Sequence, residues 1–369
     1  MTPFPPRTLS SPSIETLPLS VTVVVCNYNG EQHLPACLGA LAAMAGDVVE
    51  TIVVDNASSD RSLELLERDF PHVRVVQVGY NAGPCVARNV GMREAKTRLV
   101  LALDNDAVVS AETLERLLSA HQETGAAIVQ PRSVFDSEPD RVHYDGGHFH
   151  YVGLIRLRNF YRPLAEAEGE GTLDVDCAIS MCLLLDVHTI LGMGGYDERY
   201  FILFEDYDLS YRLRSAGERI VSVEDTIVRH RAGTPGISFR DGPRYPSSRV
   251  FYHSRNRWVF LAKNHQLRTL LVTAPGCLLY ECVGLLFALM NGHPFAWVRG
   301  KWAALRMIAG LGADRRSVQS ARKLRDRELL VGGGLTVTPA AAAKPARAAL
   351  LRLVNGALGI CWSFARPFL

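Results

Sequence analysis

With 369 residues, 48% of them hydrophobic and 21% charged, the chain can bury a sizeable core and has room for one large domain and an appendage, which excludes a disordered or fibrous protein. A formal net charge of +2 excludes a nucleic-acid binder that works by long-range electrostatics, because tracking phosphates takes a clear excess of Lys and Arg. Eight cysteines without a CxxC pair indicate neither a zinc site nor a dense disulfide framework, so a reducing, cytoplasmic compartment is the default.

The first nineteen residues, rich in Pro, Ser and Thr, lack the apolar core of a secretory signal and read as a flexible leader. From position 20, short β-rich runs alternate with amphipathic stretches. SVTVVVC is followed by a helix around Leu34, Leu38 and Leu41, and ETIVVD by a helix through Leu63 and Leu66. VRVVQV, a helix from Pro84 to about Ala95, TRLVLAL, a helix around Leu114 and Leu117, and AAIVQ complete the series. This βαβ grammar predicts an α/β fold with a mostly parallel, Rossmann-like sheet covered on both faces.

Such sheets bind ligands at the carboxyl ends of their strands, and the residues there are polar. Asn27, Tyr28, Asn29 and Gly30 follow the first strand, and Asp55, Asn56, Ser58 and Asp60 the second. Asn81 and Gly83 follow the third, and Asp104, Asn105 and Asp106 the fourth. Taken singly, these are turn formers and helix caps. Together, acids on neighbouring strand ends repel unless a cation or a hydrogen-bonding ligand compensates them, which points to a shared site. The acids flanking Asn105 suit Mg²⁺ or Mn²⁺, ions that commonly bridge to substrate phosphates. No GxxxxGK[ST], strand-linked GxGxxG or HExxH is present, which disfavours P-loop hydrolysis, a dinucleotide cofactor and zinc proteolysis.

Residues 131–175 read as a long polar insertion over the site, with His143, His148 and His150 as ordinary polar residues. In GGYDERYFILFEDYDLSYRLRSAG, the acids Glu205, Asp206 and Asp208 open a helix that repeats Leu209 and Leu213 and stops at Gly217. Acids at a helix N-terminus are favoured by its dipole, yet three in four positions exceed that need.

The ordered pieces VVVCNYNG, VVDNASSD, GYNAGPCVARNVGM, LDNDAVV, GGYDERYFILFEDYDLSYRLRSAG and YHSRNRWVF resemble the inverting GT-A branch of glycosyltransferase family two, over residues 20–262. The resemblance implies that Asp55 holds the base or ribose of a nucleotide-sugar donor, with Asn27, Asn29 and Asn81 in the same pocket. Asp104 and Asp106 match the family's DxD element, with Asp106 as the direct metal ligand, Asp104 shared between metal and donor, and His230 beside metal and diphosphate. Asp206 matches the general base, with Glu205 next to it at the acceptor face, and Arg255 is placed to meet phosphate. The similarity is greatest to bacterial rhamnosyltransferase-like members. It implies transfer of a hexose, rhamnose as the best reading, to a saccharide or lipid-linked saccharide in cell-envelope glycan synthesis. A catalytically silent nucleotide-sugar binder or membrane scaffold and a metal-dependent nucleotidyltransferase are the alternatives.

Beyond residue 262 the composition changes. LRTLLVTAPGCLLYECVGLLFALM is close to the roughly 20 residues that cross a bilayer, but Pro275 and Glu281 interrupt it. Cations on both sides give no orientation, which favours an interfacial or re-entrant helix pair. RAALLRLVNGALGICWSFARPFL mixes apolar and basic residues as membrane-surface helices do, and ADRRSVQSARKLRDRELL between them reads as solvated. Residues 263–369 are therefore expected to form a helical region on the cytoplasmic face of a bacterial inner membrane; packing on the catalytic domain or a homodimer interface is the other use of such helices.

Overall fold

The computed structural model describes residues 20–42, 44, 48–231, 237–238 and 245–369; the leader expected at 1–19 lies outside them. The first half follows the predicted alternation: β1 (Val21–Asn27), α1 (Leu34–Ala42), β2 (Val48–Asp55), α2 (Ser62–Asp69), β3 (Arg74–Gln77), α3 (Gly83–Glu94) and β4 (Leu99–Asp104). A two-residue strand, β5 (Ala107–Val108), then leads into α4 (Ala111–Thr124) and β6 (Ile128–Phe135). All seven residues of β1 are buried, as expected of a run of β-branched residues at the centre of a sheet with both faces covered. The Ser110 side chain accepts from the Thr113 N–H at 3.1 Å and starts α4, and Gly125, at φ 62°, ends it.

The second half contains β7 (Val142–Tyr144), β8 (Gly147–His150), β9 (Leu154–Leu157), β10 (Thr172–Asp174), β11 (Cys182–Asp186), α5 (Val187–Gly192), α6 (Glu205–Ser215) and β12 (Ile220–His230). The main sheet runs β10-β12-β6-β11-β4-β1-β2-β3, with β5 paired to β12 and β7 to β6. Strands β1 to β4 are mutually parallel as predicted, and β12 is parallel to β6. β11, which the sequence reading did not assign, runs antiparallel between β4 and β6, so the sheet is mixed.

The reading of residues 131–175 as an insertion outside the core is corrected. Residues 131–135 continue β6, and Phe149, Tyr151, Val152 and Val175 belong to the main apolar core. Polar residues disguised the segment because they pair with one another under cover. Arg132 donates to Asp145 at 3.0 Å and to Glu224 at 2.6 Å, all three buried, and Arg158 also pairs with Glu224.

The C-terminal part consists of α7 (Ser247–Asn264), α8 (Leu267–Val272), α9 (Ala274–Met290), α10 (Pro294–Ala309), α11 (Gly312–Ala321), α12 (Asp326–Leu329), β13 (Leu330–Val331), α13 (Pro339–Ala342) and α14 (Pro345–Ala365). α7 runs through the expected boundary at 262 and closes at Asn264. β13 adds to β8 in a small sheet with β9, and Ala304, Leu329, Val354 and Leu358 share the core of the preceding half. The stretch 313–330 is not simply solvated: Asp326 is buried, accepting from the Tyr211 hydroxyl and the Arg322 guanidinium, both at 2.6 Å.

Removing one partner of a buried ion pair leaves the other charge uncompensated, at a cost of about 3–5 kcal/mol. Arg132→Ala is therefore expected to lower unfolding stability by roughly that amount in urea titrations, whereas removing the exposed pair Arg68–Asp69 should leave the unfolding midpoint essentially unchanged.

Candidate functional site

Parallel register aligns the strand ends: Asn27 lies beside Asp55, and Cys26 beside both Val54 and Asp104. At this edge Asn27 Nδ2 donates to Asp55 Oδ1 at 2.8 Å and to Ser58 Oγ at 3.1 Å, and Asn27 Oδ1 accepts from Asn105 Nδ2 at 2.8 Å. Asp55 is fully buried and also accepts from the Ser58 N–H and hydroxyl at 2.9 and 2.6 Å. Asn29, at φ 51°, donates its N–H to Ser58 Oγ and accepts from the Ser59 N–H at 2.7 Å. Gly30 is required here, because a Cβ would fall 2.2 Å from both Asn27 Oδ1 and Asn105 Nδ2. Asn81 is exposed and accepts from the Gly83 N–H at 3.2 Å, at the start of α3. Four of the expected donor-pocket residues, Asn27, Asn29, Asp55 and Asn81, thus stand on adjacent strand-end loops.

The acids after β4 face a histidine from a distant strand. β5 pairs antiparallel with the end of β12, placing His230 opposite Ala107. His230 Nε2 consequently lies 3.2 Å from Asp106 Oδ2, and ligand atoms of Asp104, Asp106 and His230 all fall within 4.8 Å of one another. Two carboxylates and an imidazole at that spacing fit a hard or borderline divalent cation such as Mg²⁺ or Mn²⁺. Behind His230, His143 stacks at 5.1 Å between ring centroids, with the two Nδ1 atoms 3.2 Å apart. His143 was read from sequence as an ordinary loop residue; only the β6–β7 pairing brings it here.

The N-terminus of α6 brings in the remaining carboxylates. Asp206 accepts from the Ser180 N–H at 2.9 Å and from the Ser180 hydroxyl, and it remains partly accessible. Glu205 is buried next to it. Burial, and then the neighbouring Asp206 charge, push the Glu205 carboxyl up to about 8, against the lowering effect of Arg88. Burial also raises Asp206 and Asp104 above the ordinary carboxylate range. Asp208, the third acid of the trio, is structural. Fully buried, it pairs with Arg212 at 2.8 Å and Lys263 at 3.0 Å, and these charges hold its carboxyl low despite burial.

Arg88, on α3, joins the two acidic groups and was not singled out from the sequence. Its Nη2 donates to Asp104 Oδ1 at 2.7 Å, its Nη1 lies 4.0 Å from Glu205 Oε1, and its guanidinium sits 5.5 Å from the centre of the Tyr196 ring. Arg88 Nη1 and Glu205 Oε2 are buried without a hydrogen-bond partner among the described residues, as befits groups awaiting a ligand. The signal lay inside GPCVARNVGM, where a basic residue faces inward on a short helix. Among the described residues Arg255 shares no hydrogen bond or ion pair with these acids; its guanidinium donates to the Arg199 and Tyr200 carbonyls at 3.1 and 2.6 Å.

Through residues 22–183 the chain matches the model of glycosyl transferase family 2. Its fold is GT-A. The chain is 25% identical over 259 residues to the low-salt glycan biosynthesis hexosyltransferase Agl10 of Haloferax volcanii, covering 68% of this chain and 77% of that one. It is 27% identical over 268 residues to the N-acetylglucosaminyl-diphospho-decaprenol L-rhamnosyltransferase of Mycobacterium tuberculosis, covering 66% and 84%. The crystal structure of GalNAc-T7 with UDP, GalNAc and Mn²⁺ superposes with a TM-score of 0.55 at 15% identity, over 71% of this chain and 51% of that one. The protein is a glycosyltransferase.

Because the folded-state pKa of Glu205 lies above its ordinary 4.5, its contribution to stability is fully present below 4.5 and is lost as pH rises through about 8. Wild-type protein is therefore expected to lose melting temperature across that window relative to Glu205→Gln, measured by scanning calorimetry; parallel profiles would remove Glu205 as the titrating group.

Proposed function

We propose that the protein is an inverting, metal-dependent glycosyltransferase that moves a hexose, rhamnose on the best reading, from a nucleotide-diphosphate sugar to a hydroxyl of a saccharide or lipid-linked saccharide in bacterial cell-envelope glycan synthesis. The observation that carries it is the juxtaposition of strand-end polar loops, a DxD–His cluster and a partly accessible Asp206, all at the carboxyl edge of one sheet. Similarity to a rhamnosyltransferase and a hexosyltransferase supports the sugar class.

In this reading Asn27, Asn29, Asp55 and Asn81 shape the nucleotide pocket. Asp206 takes the proton of the acceptor hydroxyl as that oxygen bonds to the anomeric carbon from the side opposite the phosphate. The anomeric C–O bond to phosphate breaks, its electron pair leaves on the nucleoside diphosphate, and the configuration inverts. Asp104, Asp106 and His230 would hold the Mg²⁺ or Mn²⁺, which supplies positive charge next to the leaving diphosphate. Ser180 orients Asp206 through its backbone N–H and hydroxyl, and Arg88 keeps Asp104 and Glu205 close without full mutual repulsion.

The C-terminal helices support a membrane-surface location. Pro275 starts a new helix, so the apolar stretch at 267–290 divides into α8 and α9, and α9 at seventeen residues is short for a span. Among the described helices only Pro345–Phe368 is long and apolar enough to cross a membrane, by length and composition. Leu271, Met290, Phe295, Leu353, Ile360 and Phe364 are exposed, while residues 267–369 carry fourteen Lys and Arg against four Asp and Glu. Exposed apolar side chains on helices that carry an excess of cations suit anionic lipid.

Nucleoside diphosphate release from dTDP-, UDP- and GDP-sugars with a lipid-extract acceptor tests the activity, and NMR of the product's anomeric carbon tests inversion. Release from one donor, abolished by chelation and by Asp106→Ala, is expected; pyrophosphate release instead would favour a nucleotidyltransferase. In flotation assays the protein is expected to bind phosphatidylglycerol vesicles and not phosphatidylcholine ones, and Leu353→Glu with Phe364→Glu should weaken binding at least about tenfold. Unchanged flotation, or a dimer that hides this face, would contradict the membrane assignment.

A further inference from the structure

The segment that delivers Glu205 and Asp206 to the site is conformationally costly. Phe201, Leu203 and Phe204 all have positive φ, at 64°, 66° and 72°, a region that L-residues with large side chains rarely occupy. Each such residue costs on the order of 1–3 kcal/mol and persists only where its surroundings over-determine it. Two helices do so here, from opposite sides.

On one side stands α3. Asn89 exchanges two hydrogen bonds with the Tyr196 backbone, both at 2.8 Å, and the Cys85 thiol reaches the Phe201 carbonyl at 3.5 Å. Gly83, at φ 78°, permits the approach, since a Cβ there would meet the Phe201 carbonyl oxygen at 2.6 Å. On the other side stands α7. Asn256 is fully buried, and its one amide nitrogen donates to the carbonyls of Tyr200, Ile202 and Leu203 at 3.1, 2.8 and 2.7 Å. Arg255 adds its bonds to the Arg199 and Tyr200 carbonyls, and its Nε holds the Asn256 side-chain oxygen at 2.7 Å. That last bond leaves the Asn256 amide nitrogen facing the loop.

We infer that Asn256, held by Arg255, is a positioning residue for catalysis: its amide gathers three loop carbonyls, stabilises the left-handed backbone at 201–204, and thereby sets where the Asp206 carboxylate stands. This rests on the assignment of Asp206 as the base. The same string explains why the arginine and asparagine of SRNRW are spent on protein carbonyls rather than on a phosphate. Its neighbours Ser254 and Arg257 turn the other way, toward the Trp297 carbonyl and Glu281 of the following helices.

The donor pocket lies on the loops after β1, β2 and β3, so loosening the clamp should spare donor binding. Asn256→Asp keeps the shape but puts a second oxygen against three carbonyls, and Asn256→Ala removes the amide. Both are expected to lower kcat by about 10- to 100-fold, as displacement of a reacting group by an ångström does, with donor Kd and KM within about twofold of wild type. Tyr151→Phe, which removes a buried hydrogen bond to the Leu358 carbonyl far from the loop, should lose stability without losing kcat. Kinetics are read below the melting temperature of every variant. Unchanged kcat in folded Asn256 variants, or loss of donor affinity in proportion to kcat, would overturn the inference. Should Asn256 variants not fold, Arg255→Ala is expected to show the same split at smaller size, and unchanged kcat there would overturn it equally. Asp206→Asn run in parallel separates the two assignments: if it too turns over normally, the base assignment has failed, and if it alone is crippled, only the clamp has.

Discussion

Like charges gathered at one edge of a sheet are the constraint on which this molecule turns. Asp104 and Asp106 arrive from the β4 end and Glu205 and Asp206 from the start of α6, and a single buried guanidinium, Arg88, stands between the two pairs. At about 4 Å and an effective dielectric of about 20, each charge pair is worth roughly 4 kcal/mol, comparable to a large part of a domain's net stability. The arrangement is tolerable with Arg88 in place and with Glu205 carrying its proton over much of the neutral range, and a cation of the kind proposed among Asp104, Asp106 and His230 would relieve it further.

The same economy governs the architecture around the site. α3 contributes Arg88 to the carboxylates and, one residue later, Asn89 to the loop that leads into α6. α7 alternates its contacts in the same way. Arg255 and Asn256 hold that loop, whereas Arg257 and Trp258 meet Glu281 on α9, which also pairs with Lys301 on α10 at 2.7 Å. The helices that present an apolar face to the outside are therefore fastened to the catalytic half by buried charges, and the inner sides of α10 and α14 complete the core that β8 and α7 begin.

Much of this was legible in the sequence, and what was not shares a physical cause. The strands β1, β2 and β4 and their polar ends could be read because a buried parallel strand is a continuous apolar run and its ligand-facing loop is not. The acids at 104, 106, 205 and 206 could be read because their number exceeded what capping needs. β11 was missed because its direction depends on a partner eighty residues away, and residues 131–175 were misjudged because Arg132, Asp145 and Glu224 are polar yet satisfied by one another in the interior. Arg88, His143 and Ser180 share one difficulty: each acquires its role from a contact across the fold, and nothing next to it in the chain announces the partner.

The most direct test of the central claim is donor binding and turnover in Asp206→Asn, measured side by side by calorimetry and nucleoside diphosphate release. Asparagine keeps the size of the side chain and removes its ability to accept the proton. The account predicts donor affinity within about twofold of wild type and turnover lowered by about a hundredfold to ten-thousandfold. Turnover near the wild-type rate in a folded, donor-binding Asp206→Asn protein would contradict it.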